Sequence, residues 1–171
     1  YEYFSFIGDN EDGYASEYMT IKANALTPIP NDWSLQEAAT LPCAGLTAWR
    51  AIMEEGNLQP NETILVQGSG GVSIFALQLA KAHGANVIAT TSSDEKAEKL
   101  KSLGADEVVN YKEHPQWGKE VLKLTANEGV DHVVEVAGGE SFNESIRCAK
   151  LGGHISICLL YTSPSPRDGD E

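Results

Sequence analysis

The apolar run Thr63-Ile64-Leu65-Val66 passes directly into Gln67-Gly68-Ser69-Gly70-Gly71-Val72, and from there into a long amphipathic segment. No other stretch restricts the fold as much. Val72, Phe75, Ala76, Leu79 and Ala80 recur at the spacing of one helical face, so the order is strand, tight glycine turn, helix. Such a turn lets main-chain N–H groups approach a pyrophosphate, and the helix N-terminus offers it partial positive charge. A plain turn between a core strand and a core helix is the alternative, and the flanking pattern favours the ligand-binding reading. Ser73 stands at the third small-residue position of the dinucleotide fingerprint, where close helix–strand packing needs a short side chain.

The alternation continues along the chain. Strands are expected at 63–67, 86–90, 107–110, 132–136 and 153–157, and helices at 71–83, 94–103, 117–125 and 141–149. Strands separated by helices of this length imply right-handed crossovers and an α/β doubly wound parallel sheet, a Rossmann arrangement that stops after about five strands. Ser92 and Glu95 read as a capping box opening the second helix, and Gly104 as its stop. Gly153-His154-Ile155-Ser156-Ile157 reads as a buried central strand.

Upstream of this repeat, Glu17-Tyr18-Met19-Thr20-Ile21 reads as a short strand, and the prolines of Ala25-Leu26-Thr27-Pro28-Ile29-Pro30 keep that stretch extended. Ser34-Leu35-Gln36-Glu37 matches a capping box before a short helix, and a further helix runs from about Cys43 to Glu55, stopped by Gly56.

A formal net charge of −13 over 171 residues makes nucleic acid and anionic membrane surfaces unlikely partners. No apolar run approaches the roughly 20 residues of a membrane span. The three cysteines are widely spaced with no CxxC pair, which suits a reducing, cytoplasmic setting. Cys148 reads as helix core. His83, His114, His132 and His154 read as structural, none with a partner evident from spacing, and no Gly-x-Ser-x-Gly nucleophile elbow is present.

Three ordered motifs carry a resemblance. Ala39-Thr40-Leu41-Pro42-Cys43-Ala44-Gly45-Leu46-Thr47-Ala48-Trp49, then Gln67-Gly68-Ser69-Gly70-Gly71-Val72, then Leu103-Gly104-Ala105-Asp106 with Asn110-Tyr111, together resemble the medium-chain dehydrogenase/reductase superfamily over about residues 13–157. The branch it resembles most is that of zinc-type alcohol dehydrogenases and quinone oxidoreductases. The resemblance implies a remnant of a β-rich, GroES-like catalytic domain over 1–40 and an incomplete dinucleotide-binding domain over 41–157. Residues 158–171 resemble a translated sequencing adapter and are expected to be non-native and without fixed structure. The implied activity is hydride transfer between a nicotinamide cofactor and a small alcohol or carbonyl, quinone or enone, in a parent that is a homodimer or homotetramer. The 171-residue chain itself is expected to be inactive, because most catalytic residues would lie upstream. A non-catalytic dinucleotide-binding protein of the same fold is the alternative.

The end of the second expected strand, Ala89-Thr90-Thr91-Ser92-Ser93, lacks the carboxylate that NAD-selective folds place on the ribose 2′-OH. Hydroxyls there suit a 2′-phosphate, so NADP is expected before NAD. The cofactor-binding residues are expected to be Gly68, Gly70, Gly71 and Val72 of the turn, Ser92 after the second strand, Ala137 and Gly138 beyond the carboxyl end of the fourth strand and, by resemblance, Thr47, Lys96 and Tyr111. The alternatives are a solvated helix charge for Lys96, a half-buried strand end for Tyr111, an ordinary loop for Ala137 and Gly138, and a hydroxyl bonded back along its own helix for Thr47. Cys43 occupies the place of a catalytic zinc ligand in zinc alcohol dehydrogenases. Quinone oxidoreductases have the same segment without it, and a lone cysteine does not make a zinc site. Zinc is therefore possible but not favoured over a small buried helix residue.

Overall fold

A computed structural model of the chain describes residues 12–158. The described residues divide into two compact units, one ending at Leu35 and one beginning at Gln36. The expected adapter-like tail, apart from Cys158, lies outside the described residues.

Among its described residues the first unit contains a single helical turn, Ala23–Ala25, in otherwise extended or irregular chain. The strand expected at 17–21 is not formed. A strand exists by pairing, and no other strand is present among the described residues of this unit to pair with it.

In the second unit, α1 (Leu35–Ala38) is followed by α2 (Leu46–Trp49), which is flanked by wider, π-type turns at Leu41–Gly45 and Arg50–Glu54. The single helix expected over 43–55 is thus a composite. Pro42 at its start withholds one donor, and at its end the Glu55 N–H reaches Arg50 O at 2.9 Å. Then come β1 (Thr63–Gln67), α3 (Gly71–Ala82), β2 (Asn86–Thr91), α4 (Asp94–Ser102), β3 (Glu107–Asn110), α5 (Trp117–Leu124), β4 (Val130–Glu135), α6 (Ser141–Cys148) and β5 (Ala149–Ile157).

The five strands form one parallel sheet in the order β3-β2-β1-β4-β5. The chain leaves β1 in one direction, then returns to place β4 against β1 on the other side. The carboxyl ends of β1 and β4 therefore flank the topological switch point, where an open α/β sheet offers its crevice.

Side-chain alternation along the central strand explains the two cores. Ile64 and Val66 point to one face, joining Ile52, Ala76, Leu77, Val87 and Leu100. Leu65 points to the other, joining Ile88, Trp117, Val121, Val133 and Cys148. The expectation of a buried fifth strand is corrected: β5 stands at the sheet's edge, half-exposed over 153–156, with Leu151 fully exposed and Ile157 45% exposed.

The second helix of the repeat opens at Asp94 as expected, but its cap lies one residue later than expected. Its cap is Ser93, in extended conformation, whose hydroxyl accepts the Lys96 N–H, and Ser92 remains in the preceding loop.

Candidate functional site

The glycine turn leaves β1 in the left-handed region, with Gly68 at φ +72°, a conformation costly for residues with a Cβ. The Gly68 N–H donates to Thr90 O at 2.9 Å, which ties the turn to the end of β2. Gly70 is the cap residue of α3, and no side chain accepts from that helix's first turn. A Cβ placed at Gly68 or at Gly70 would meet no protein atom within 4 Å. The 12-residue helix α3 thus starts without a side-chain cap, next to open space at Gly68 and Gly70. Gly71 is different: its Cβ would come within 3.1 Å of Ala44 Cβ, where the chain before α2 packs on α3. Ser73 is buried and donates its hydroxyl to Gln67 O at 2.6 Å, so the third fingerprint position fastens the helix start to the strand end. Val72 is half-buried in the core beside it.

Next to this turn lies a cleft of about 480 Å³ whose lining includes Gln67, Gly68, Thr90, Tyr111, Val136 and Ala137. It collects the carboxyl ends of β1, β2, β3 and β4. Tyr111 is 41% exposed and its main-chain N–H donates to Thr91 O. Of the residues singled out from sequence, Gly68, Tyr111 and Ala137 line this cleft together. Gly70, Gly71 and Val72 open α3 beside it. Ser92 is half-buried after β2, and Lys96 is exposed on the first turn of α4, with no ion pair among the described residues. Gly138 follows Ala137 at φ +66°. A larger hollow of about 970 Å³ belongs to the N-terminal unit and is lined by residues between Asp12 and Ala25.

Sequence reasoning missed the polar group beneath the cleft. Glu135, the last residue of β4, is completely buried. Its Oε1 accepts the N–H groups of Ala137 and Gly138, both at 2.8 Å. Its Oε2 accepts Gln67 Nε2 at 2.8 Å and the Ser145 hydroxyl in a very short contact. Gln67 Nε2 also donates to Ser145 Oγ at 2.7 Å, and Gln67 Oε1 accepts the N–H groups of Val136 and Ala137 at 3.1 and 3.2 Å. The signal available in sequence was a carboxylate closing an apolar strand, Val133-Val134-Glu135-Val136, just before a glycine pair.

Cys43 is exposed, which corrects the expectation of a small buried residue. Thr47, one turn on, is half-buried, and its hydroxyl makes no hydrogen bond among the described residues, including to the i−4 carbonyl. No group of three metal-ligating side chains occurs among the described residues. Cys148 lies in the core as expected, and burial pushes its thiol up to about 12.

The histidines need a further correction. His132 Nε2 lies 2.9 Å from Glu62 Oε2, and His154 Nε2 lies 2.9 Å from Ser156 Oγ. The His132 and His154 rings are 6.0 Å apart. His132 sits near the amino end of the sheet, away from the cleft, and its buried Nδ1 has no partner among the described residues.

Residues 71–166 match the family described as zinc-binding dehydrogenase. A zinc-type alcohol dehydrogenase-like protein of Schizosaccharomyces pombe is 46% identical over 161 residues, covering 93% of this chain and 46% of the relative. A solved NAD-dependent alcohol dehydrogenase superposes with a TM-score of 0.83 at 38% identity, over 94% of this chain and 48% of that one. A mycobacterial protein solved with NADPH superposes with a TM-score of 0.74 at 32% identity, over 81% and 43%. The chain spans about half the length of the relatives it matches.

Proposed function

Because the chain belongs to the zinc-binding dehydrogenase family, we propose that it is the dinucleotide-binding portion of an NAD(P)-dependent oxidoreductase. One observation carries the reading: an uncapped helix N-terminus, fronted by open space at Gly68 and Gly70, stands at the switch point of a parallel sheet. The first N–H groups of α3 bind the pyrophosphate, and the absent side chains at Gly68 and Gly70 admit it. The adenosine half lies in the cleft beside Thr90 and Tyr111. Ser92, Lys96 and Tyr111 take the 2′-phosphate, and the lack of a carboxylate at the end of β2 makes NADP the preferred cofactor. Thr47, Ala137 and Gly138 border the nicotinamide end. The bound nicotinamide supplies hydride donation or acceptance, and the residues of this chain bind and orient it. The small-molecule substrate is an alcohol or carbonyl, a quinone or an enone. Cys43 offers one exposed thiol, short of the three protein ligands a catalytic zinc takes.

Titration of the chain with NADPH and NADH, followed by tryptophan fluorescence, tests this reading. Saturable binding with NADPH tighter than NADH is expected, and absence of binding to either rejects it. Lys96→Ala should weaken NADPH by about tenfold, the loss of one charge-assisted contact worth about 1.5 kcal/mol, and leave NADH nearly unchanged. Equal effects on both would make Lys96 only a solvated helix charge.

A further inference from the structure

We infer that Glu135 and Gln67 are positioning residues of the cofactor cleft: their buried side chains hold residues 136–138 in the conformation that receives the dinucleotide. The inference rests on the dinucleotide reading and adds to it the buried side chains that shape the site from beneath.

Gln67 ends β1 and Glu135 ends β4, the two strands on either side of the switch point. Their side chains meet under the cleft although they lie 68 positions apart in the chain. Together they accept all three successive main-chain N–H groups that follow β4, those of Val136, Ala137 and Gly138. Gly138 at φ +66° and Gly139 at φ +55° turn the chain in the left-handed region immediately afterwards. Ser145 of α6 closes the network from below, and Glu135 O accepts the Cys158 N–H at 2.9 Å, so β5 is held as well.

The partners of Glu135 are two main-chain amides, a side-chain amide and a hydroxyl, and none carries a charge. A buried carboxylate without a cation is costly except where its oxygens are fully bonded. Here each oxygen accepts two hydrogen bonds. The arrangement is thus intolerant of any change in loop path, because a displaced Ala137 or Gly138 would leave a buried carboxyl oxygen without its donors. The acceptors also draw the loop N–H groups inward, which fixes the side of the loop that faces the cleft.

The donor and acceptor pattern allows a demanding test. Glu135→Gln preserves volume and one acceptor oxygen for Ala137 and Gly138, but it turns a second amide NH₂ toward the Gln67 NH₂. The double variant Gln67→Glu/Glu135→Gln reverses the pair: an amide again faces a carboxylate, Ser145 can donate to one and accept from the other, and every loop N–H keeps an acceptor. NADPH and NADH dissociation constants are measured for the folded chain well below its melting temperature, with thermal stability recorded in parallel. Glu135→Gln should weaken both cofactors by the same factor, about tenfold or more, since a mismatched buried amide displaces the loop as a whole. The double variant should return affinity to within about threefold of wild type.

A purely structural role would lower the melting temperature of Glu135→Gln and leave the dissociation constants of the folded protein unchanged, and that result overturns the inference. If Glu135→Gln does not fold, the double variant decides: wild-type affinity supports the inference, and weak binding or failure to fold overturns it. A wild-type chain that binds neither cofactor rejects the dinucleotide reading itself and this inference with it. A wild type that binds while Glu135→Gln binds equally well rejects the positioning role alone.

Discussion

The two ends of this one parallel sheet handle buried polar groups in different ways. At the carboxyl end, Glu135 is bonded only to neutral donors and has no contact with solvent. At the amino end, carboxylates cap the starts of neighbouring strands and pair with lysines. Asp131 accepts the Thr63 N–H at 2.9 Å and pairs with Lys150 at 3.0 Å. Asp106 accepts the Val87 N–H at 2.7 Å and pairs with Lys81 at 2.8 Å. The amino-end bonds fasten strand starts that no ligand needs to reach. The carboxyl-end bonds shape a loop and leave the neighbouring helix N-terminus uncapped. If α3 receives the pyrophosphate as proposed, one end serves stability and the other gives up a helix cap in order to bind.

This division can be broken from either side. The largest effect is expected at Gly129, just before β4 at the amino end. It lies at φ +88°, and a Cβ there would approach Cys148 O and Lys150 N to 2.8 Å, both of them backbone atoms. Gly129→Ala should cost several kcal/mol, since strain and a backbone clash add. Chemical denaturation measures it. Any fraction that remains folded should still bind NADPH, because the carboxyl end is untouched.

A smaller effect sharpens the comparison through pH. Burial pushes the Asp131 carboxyl up, but the Thr63 N–H and the Lys150 ammonium outweigh it and hold the group below the ordinary aspartate value of 3.8. Asp106 is held down likewise by Lys81 and Val87 against its burial. Both carboxyls therefore bind protons less readily in the folded state. Their contribution is fully present above the ordinary value and is lost as pH falls through the depressed one. Stability should decline below about pH 4. Asp131→Asn should flatten part of that decline and cost about 1 kcal/mol at neutral pH. An unchanged acid transition in Asp131→Asn would show that this carboxylate does not serve as argued.

Much of this was legible in the chain. The strand-turn-helix unit at 63–82 is local, and its apolar run and helical pattern report its burial directly, so elements and glycine turn stand where the pattern puts them. The network under the cleft was not legible, because Glu135 acquires its meaning from Gln67 and Ser145, which lie 68 and 10 residues away. The same holds for Glu62 and His132, 70 residues apart. The cap at Ser93 rather than Ser92 turned on a one-residue choice between adjacent serines, which only backbone geometry decides. The strand expected at 17–21 failed for the opposite reason: local propensity is present, and a pairing partner among the described residues of its unit is not.

The most direct measurement compares the wild-type chain with Gly70→Val by isothermal titration with NADPH and by thermal melting. Gly70 has an ordinary extended conformation and space for a side chain, so the variant should fold and melt only a few degrees below wild type, the cost being about 1 kcal/mol for valine at a helix cap. A branched side chain in front of the α3 N-terminus should nonetheless abolish measurable NADPH binding, while wild type binds saturably. Undiminished NADPH affinity in a folded Gly70→Val variant would contradict a dinucleotide site at the end of β1.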